Sequence, residues 1–259
     1  MKQLLIIPDR NNLESSLEIA EKYSTGFEYN DFFIPKVLDS KKKIDKIVEE
    51  YKSVQLPEYC TSHGAFFDVI PFSLDERIKE ISDLRIQQSI DAAEKIGAKA
   101  VVFHTNYNPF LNSEAYVNSF VETNADYWGH VLKQHRNISI YLENMFDTTP
   151  DIMVKIAERL CANENFGICL DYAHASLSAV HPKLWAKALG KYVKHVHIND
   201  NDCVSDLHLA WGAGKIDTME FYRCYEKYMS GATILVETNA KENIIASLEK
   251  LKADGFLSV

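Results

Sequence analysis

Short apolar runs alternate with longer segments of helical periodicity along the whole of the 259-residue sequence, and this alternation restricts the fold more tightly than any other feature. Candidate strands fall at residues 3–7, 26–29, 59–63, 100–104, 138–143, 166–171, 192–197 and 233–237. Helical patterns lie between them at 13–23, 43–52, 74–96, 113–135, 150–161, 182–189, 218–228 and 241–252. Strand followed by helix, repeated without interruption, is the pattern of βα units around a parallel sheet. Local signals support the helix ends: Thr149 before Pro150, Ser73-Leu74-Asp75-Glu76 as a capping box, and Gly97 as a stop after Ile96. No Gly/Pro/Ser-rich linker divides the chain, and no G-x-G-x-x-G follows an early strand. Eight units without a boundary predict one closed (β/α)8 TIM barrel over residues 1–259 rather than an open doubly wound sheet.

Composition narrows the function classes. No run of about 18 apolar residues suggests a membrane span, and the opening Met1 to Pro8 is too short and too early broken for a signal peptide. It reads as the first strand. The five cysteines form no C-x-x-C pair, so neither a disulfide framework nor a thiolate zinc knuckle is expected, and a reducing, cytoplasmic setting follows. A net charge of −9 with only six arginines argues against a broad phosphate-binding surface, so nucleic acid is not the expected partner. Lys41-Lys42-Lys43, the one basic run, reads as a solvated helix start.

Side chains alternate across a strand, so each strand's inward face can be counted. In Ile138-Ser139-Ile140-Tyr141-Leu142-Glu143 the aliphatic residues share the face that packs on helices, which turns Glu143 inward at the C-terminal rim. The same count turns His104, Asp171 and Glu237 inward. His63 and His197 end their strands, His174 follows Asp171 by three residues, and Asp206-Leu207-His208 lies in the loop after the seventh strand. Barrel enzymes carry their chemistry at this rim. The set His63, His104, Glu143, Asp171, His174, His197, Asp206, His208 and Glu237 is imidazole and carboxylate without thiolate, suited to Zn²⁺, Mn²⁺, Fe²⁺ or Co²⁺. It is too large for one ion and leaves room for two or three. His195, two residues deeper on the same face as His197, reads as a hydrogen-bonded interior residue; His130, His135 and His181 read as surface. Glu28 is open between a substrate contact and a lysine partner.

Over nearly its whole length the chain resembles the xylose isomerase-like superfamily of TIM barrels, through Leu142-Glu143-Asn144, Leu170 to His174, His195 to Asp200, Asp206-Leu207-His208 to Asp217, and Val236-Glu237-Thr238. In the isomerases and epimerases of that superfamily, the resemblance implies one divalent ion (manganese, zinc or cobalt) held at Glu143, Asp171, His197 and Glu237, with His174 contacting substrate. In endonuclease IV all nine positions have counterparts and bind three zinc ions for cleavage at abasic sites.

The acidic charge, the absence of a match to the arginine- and tyrosine-bearing loops of the nuclease, and the sequence Leu142 to Phe146 favour a sugar substrate. Against this, the arginine that ketose epimerases often carry six residues after His197 is Cys203 here. The expectation is therefore a metal-dependent sugar isomerase or epimerase of carbohydrate metabolism, with Glu143 and Glu237 as acid and base and His174, His63 and His104 near the substrate. The alternative is an endonuclease IV-like phosphodiesterase using two or three metals, in which His63, His104 and His208 complete extra sites; across the two readings the cofactor is one to three divalent ions. Specificity is assigned to loops 66–72, 107–111 and 146–149, and relatives are often dimers.

Overall fold

The chain is described by a computed structural model over residues 2–66 and 68–257; Phe67, in the expected 66–72 loop, lies outside the described residues. Eight parallel strands close into a barrel in sequence order: β1 Leu4–Ile6, β2 Gly26–Tyr29, β3 Cys60–His63, β4 Ala100–His104, β5 Ser139–Glu143, β6 Phe166–Asp171, β7 Val193–Ile198 and β8 Thr233–Val236. The closure follows from pairing of β1 with both β2 and β8. Each expected strand is present, shifted at its ends by no more than a residue or two.

The alternation of faces holds. Val101, Phe103, Ile140, Leu142, Ile168, Leu170, Val196, Ile198, Ile234 and Val236 point outward into the layer shared with the helices. Ala100, Val102, Tyr141 and Cys169 meet inside the barrel, as do Leu5, Ile7 and Leu235. Large aromatics fill the outer layer: Trp128 is buried at 2% exposure and packs on Phe103 with ring centroids 5.2 Å apart. Burying one such side chain is worth about 1.5–3 kcal/mol.

The helix ends correct two expectations. The helix Glu76–Ile96 is capped by Asp75, whose carboxylate accepts from Arg77 N, while Ser73 caps Asp75 instead of forming the expected box. Asp sits closer to the first free N–H groups and takes the position. The helix Asp151–Leu160 has Pro150 at its N-cap with no side-chain cap, so Thr149 stands one residue too early. Gly97 does end its helix, at φ 91°, a conformation that favours glycine. Exposed Lys41, Lys42 and Lys43 begin the helix Lys41–Lys52 behind the Ser40 cap.

One short helix bears directly on the rim. Residues Tyr172–Leu177 form little more than a turn of helix, at a position to which the sequence pattern assigns no element. Asp171 is its N-cap: Oδ1 accepts from His174 N at 2.5 Å, which brings His174 back over the end of β6.

Candidate metal centre

Strand register does most of the assembly. Parallel pairing sets His104 beside Glu143 and Asp171 beside His197, each pair at the C-terminal end of its strands. His63 ends β3, and Glu237 follows β8 directly. The structure brings all nine expected rim residues together. Eight of them fall in three groups whose potential ligand atoms lie within 4.8 Å of one another: His63, His104 and Glu143; Glu143, Asp171 and His197; and His174, Asp206 and His208. Glu237 joins the second group, its Oε2 3.5 Å from His197 Nδ1.

Ring orientation is set from outside the groups. An imidazole that donates one N–H has its other nitrogen free as a ligand, so the acceptor behind each ring selects the tautomer. His63 Nδ1 faces Gly64 O at 3.0 Å, His174 Nδ1 faces Asn144 O at 2.9 Å, and His208 Nδ1 faces Glu237 O at 3.0 Å. A carbonyl only accepts, so all three rings are N–H at Nδ1 and turn Nε2 toward the groups. His63 Nε2 then stands 3.7 Å from Glu143 Oε2, His174 Nε2 3.5 Å from Asp206 Oδ2, and His208 Nε2 3.2 Å from the same Asp206 oxygen. His197 is turned the other way, with Nδ1 3.4 Å from Glu143 Oε1 and Nε2 3.3 Å from Glu28 Oε1.

The buried polar atoms that lack hydrogen-bond partners collect here. Among the described residues they include both oxygens of Glu143, Asp171 Oδ2, His174 Nε2, both nitrogens of His197 and His104 Nδ1. Native interiors rarely leave so many groups unsatisfied, and a shared cation is the ordinary resolution when the orphans are carboxylates and imidazoles. Electrostatics carries the same strain. Burial alone would raise the Glu143 carboxyl, but the charges of His197 and His104 outweigh it and hold it well below the usual range. Burial raises Asp171, with Glu237 and Glu143 adding to the effect. The donor set fits borderline divalent cations, and its parts separate into three positions that could each hold one.

Two supporting residues escaped the strand count. Asn144 locks β5 to β6, donating Nδ2 to Asp171 O and accepting from Asp171 N, both at 2.9 Å, while its own carbonyl orients His174. Asp200 organises the loop that carries Asp206 and His208: it accepts from the N–H groups of Asn201, Gly212 and Ile216 at 2.8, 2.9 and 3.1 Å. His208 reaches its place with φ 47°, left-handed backbone at a non-glycine residue. Glu28 pairs with no lysine among the described residues; it is fully buried inside the barrel, facing His195, His197 and Thr61. His195 is the interior residue expected, bonded to Thr233 and Glu28. A signal for Asn144 and Asp200 was present, since each directly follows or closes a ligand-bearing run, but period counting assigns no role to residues beyond a strand's end.

Beside the third group lies a cavity of about 580 Å³, walled by Tyr107, Phe110, Met145 and Phe146 and floored by His174, Asp206 and Asp147. Loops 107–111 and 146–149 thus border the site as expected.

The match to known proteins now has a geometry to set beside it. The family model described as xylose isomerase-like TIM barrel matches residues 18–254. The chain belongs to this family. A probable endonuclease 4 of Mycobacterium leprae is 28% identical over 205 residues, covering 72% of this chain and 75% of that protein. Among solved structures, the TTHB071 protein from Thermus thermophilus, soaked with ZnCl2, superposes with a TM-score of 0.78 at 22% identity over 100% of both chains. A D-tagatose 3-epimerase-like protein superposes with a TM-score of 0.76 at 24% identity over 98% of this chain and 96% of that one. At these identities the two structures establish the fold alone.

Proposed function

We propose that the chain is a divalent-metal-dependent phosphoester hydrolase with up to three ions at the barrel mouth, acting on a phosphate next to a sugar. One observation carries this reading. The two oxygens of Glu143 face different histidines: Oε2 stands 3.3 Å from His104 Nε2 and 3.7 Å from His63 Nε2, and Oε1 stands 3.4 Å from His197 Nδ1. A carboxylate so placed would be shared by two ions. An isomerase that uses Glu143 as its acid or base needs one oxygen left free for a carbon-bound proton, and His63 and His104, which face Oε2, would then have to contact substrate oxygens instead.

In this reading His63, His104 and Glu143 hold one ion, Glu143, Asp171, His197 and Glu237 a second, and His174, Asp206 and His208 a third. Divalent ions bound there would supply Lewis acidity to the attacking and leaving oxygens of an in-line displacement. The chain's own residues do the rest. Asp206 and His208, about one-third exposed, open the third group to a phosphate, while Glu143 and Asp171 behind them are fully buried. The aromatic wall of the cavity offers apolar faces to a sugar ring. A duplex with an abasic site is the first substrate to try, given the mycobacterial relative, and a small chromogenic phosphodiester the second.

The test is metal-free protein reloaded with zinc or manganese and assayed on both. Hydrolysis that disappears in His63→Ala and His104→Ala is the expected result. Saturation with three ions and no cleavage of either substrate would overturn the proposal.

A second reading is favoured by the four-residue set at His197 and by the epimerase-like neighbour that spans 98% of the chain: a sugar isomerase or epimerase with Glu143 and Glu237 as proton carriers. Binding of a single ion, with proton exchange into deuterated water on a panel of ketoses lost in Glu143→Gln and Glu237→Gln, would establish it instead.

A further inference from the structure

Glu28 is the one fully buried carboxylate of the barrel interior, among the described residues, that lies outside the three groups, and the reaction proposed above does not use it. It sits on β2, one layer below the rim, where a charged side chain has no water to solvate it. Its Oε2 is occupied: Thr61 Oγ1 donates at 2.6 Å and His195 Nε2 stands 3.1 Å away. The far side of His195 is also fixed, with Nδ1 2.6 Å from Thr233 Oγ1. Its Oε1 makes no hydrogen bond among the described residues, and 3.3 Å from it stands Nε2 of His197.

That contact distinguishes His197 from its neighbours. His63, His174 and His208 are oriented by backbone carbonyls, whereas the atom behind His197 belongs to a side chain. The geometry assigns Glu28 as a positioning residue: held from below by Thr61 and His195, it keeps His197 turned with Nδ1 toward Glu143 and Glu237, and so sets the affinity of that one ion position among three. This inference rests on the metal-binding reading above, but not on the reaction proposed there.

Replacing the carboxylate by an amide tests it sharply. In Glu28→Gln the amide has one acceptor. Thr61 Oγ1, a hydroxyl donor at 2.6 Å, competes for it against His197 Nε2 at 3.3 Å, so the oxygen is drawn toward Thr61 and the NH₂ is turned against His197. Two donors then oppose each other, and the His197 ring must change tautomer or rotate.

The experiment is zinc titration of the metal-free full chain in competition with a chromophoric chelator, with ¹⁵N spectra of the histidine rings recorded alongside. Wild type is expected to bind three ions. In Glu28→Gln one of them should weaken by about 10- to 100-fold, the range for loss of a carboxylate behind a ligating histidine. The other two should keep their affinities, and the ring resonance that shifts should be that of His197. Thr61→Val, which removes the 2.6 Å donor and keeps the carboxylate, should weaken the same ion by a smaller factor, and it carries the test if the glutamine variant fails to fold. Three ions bound with wild-type affinities in the variants overturns the inference. So does an equal loss at all three positions, which would mean that Glu28 only supports the fold. A wild-type chain that binds one ion overturns the hydrolase reading, and the inference is then judged on that ion alone.

Discussion

Glu143→Gln is the substitution from which the site has most to lose. Glu143 belongs to two of the three groups, while the third (His174, Asp206 and His208) has its rings fixed by Asn144 O and Glu237 O and touches Glu143 only through His174 Nδ1, 3.5 Å from Oε1. An ion that binds only the folded state stabilises it by about 2.7 kcal/mol when present at 100 times its dissociation constant. Three such ions, the number proposed above, would contribute about 8 kcal/mol, and for a chain of this size each kcal/mol moves the melting temperature by roughly 2–4 °C. Chelation should therefore lower the wild-type melting temperature by about 15–30 °C on the same reckoning. In Glu143→Gln two of the three contributions go, so the zinc-dependent rise should shrink to about one-third and bound zinc should fall from near three to near one. Calorimetry with and without zinc, paired with elemental analysis of the dialysed protein, reads both quantities. A loss of one-third with two ions remaining would show that Glu143 serves a single position, and an undiminished rise would remove it from the centre altogether.

Other consequences are open to measurement. Asp200→Ala should release the loop that carries Asp206 and His208 and lower zinc binding by one ion, with the strand-end positions unaffected; elemental analysis and Trp211 fluorescence would report it. Gly64→Ala would place a Cβ 2.2 Å from the Phe103 ring, and overpacking of this kind costs about 1–3 kcal/mol, visible as an earlier urea midpoint. Burial pushes the Asp147 carboxyl up to about 6 from its ordinary 3.8, so its ionised form burdens the folded state above pH 6 and the burden lifts as pH falls toward 4. Asp147→Asn should thus stabilise the metal-free protein at pH 7–8 by about 2–3 kcal/mol, with the advantage gone near pH 4; equal effects at both pH values would contradict the assignment.

The fold is largely legible in the sequence because its two signals are periodic. Alternation within strands fixes the inward face and hence Glu143, Asp171, His104 and Glu237, and alternation of strand with helix fixes the barrel. Which of these residues share a group depends on inter-strand register, set by pairings such as His104 with Glu143 that no single strand encodes. The role of His174 stays open between ligand and substrate contact for a similar reason. It turns on the hydrogen bond from Nδ1 to Asn144 O, thirty residues away in sequence, which leaves Nε2 facing Asp206. The partners of Glu28 are not legible in the sequence because a carboxylate near a strand end looks the same whether it meets solvent, a lysine or two buried histidines. Asp171 differs in another way: it caps a helix with one oxygen and leaves the other facing the centre, two tasks for a residue to which the pattern gives one.

Three of the rim histidines owe their aim to peptide carbonyls. Main-chain groups survive every side-chain substitution, so those three rings stay pointed at the centre however far the surrounding sequence drifts. His197 has no such insurance. On the metal-binding reading, a change at Glu28 would reach it while leaving every ligand in place, which would give descendants of this chain a single-step route to a different affinity at one ion position without rebuilding the mouth of the barrel.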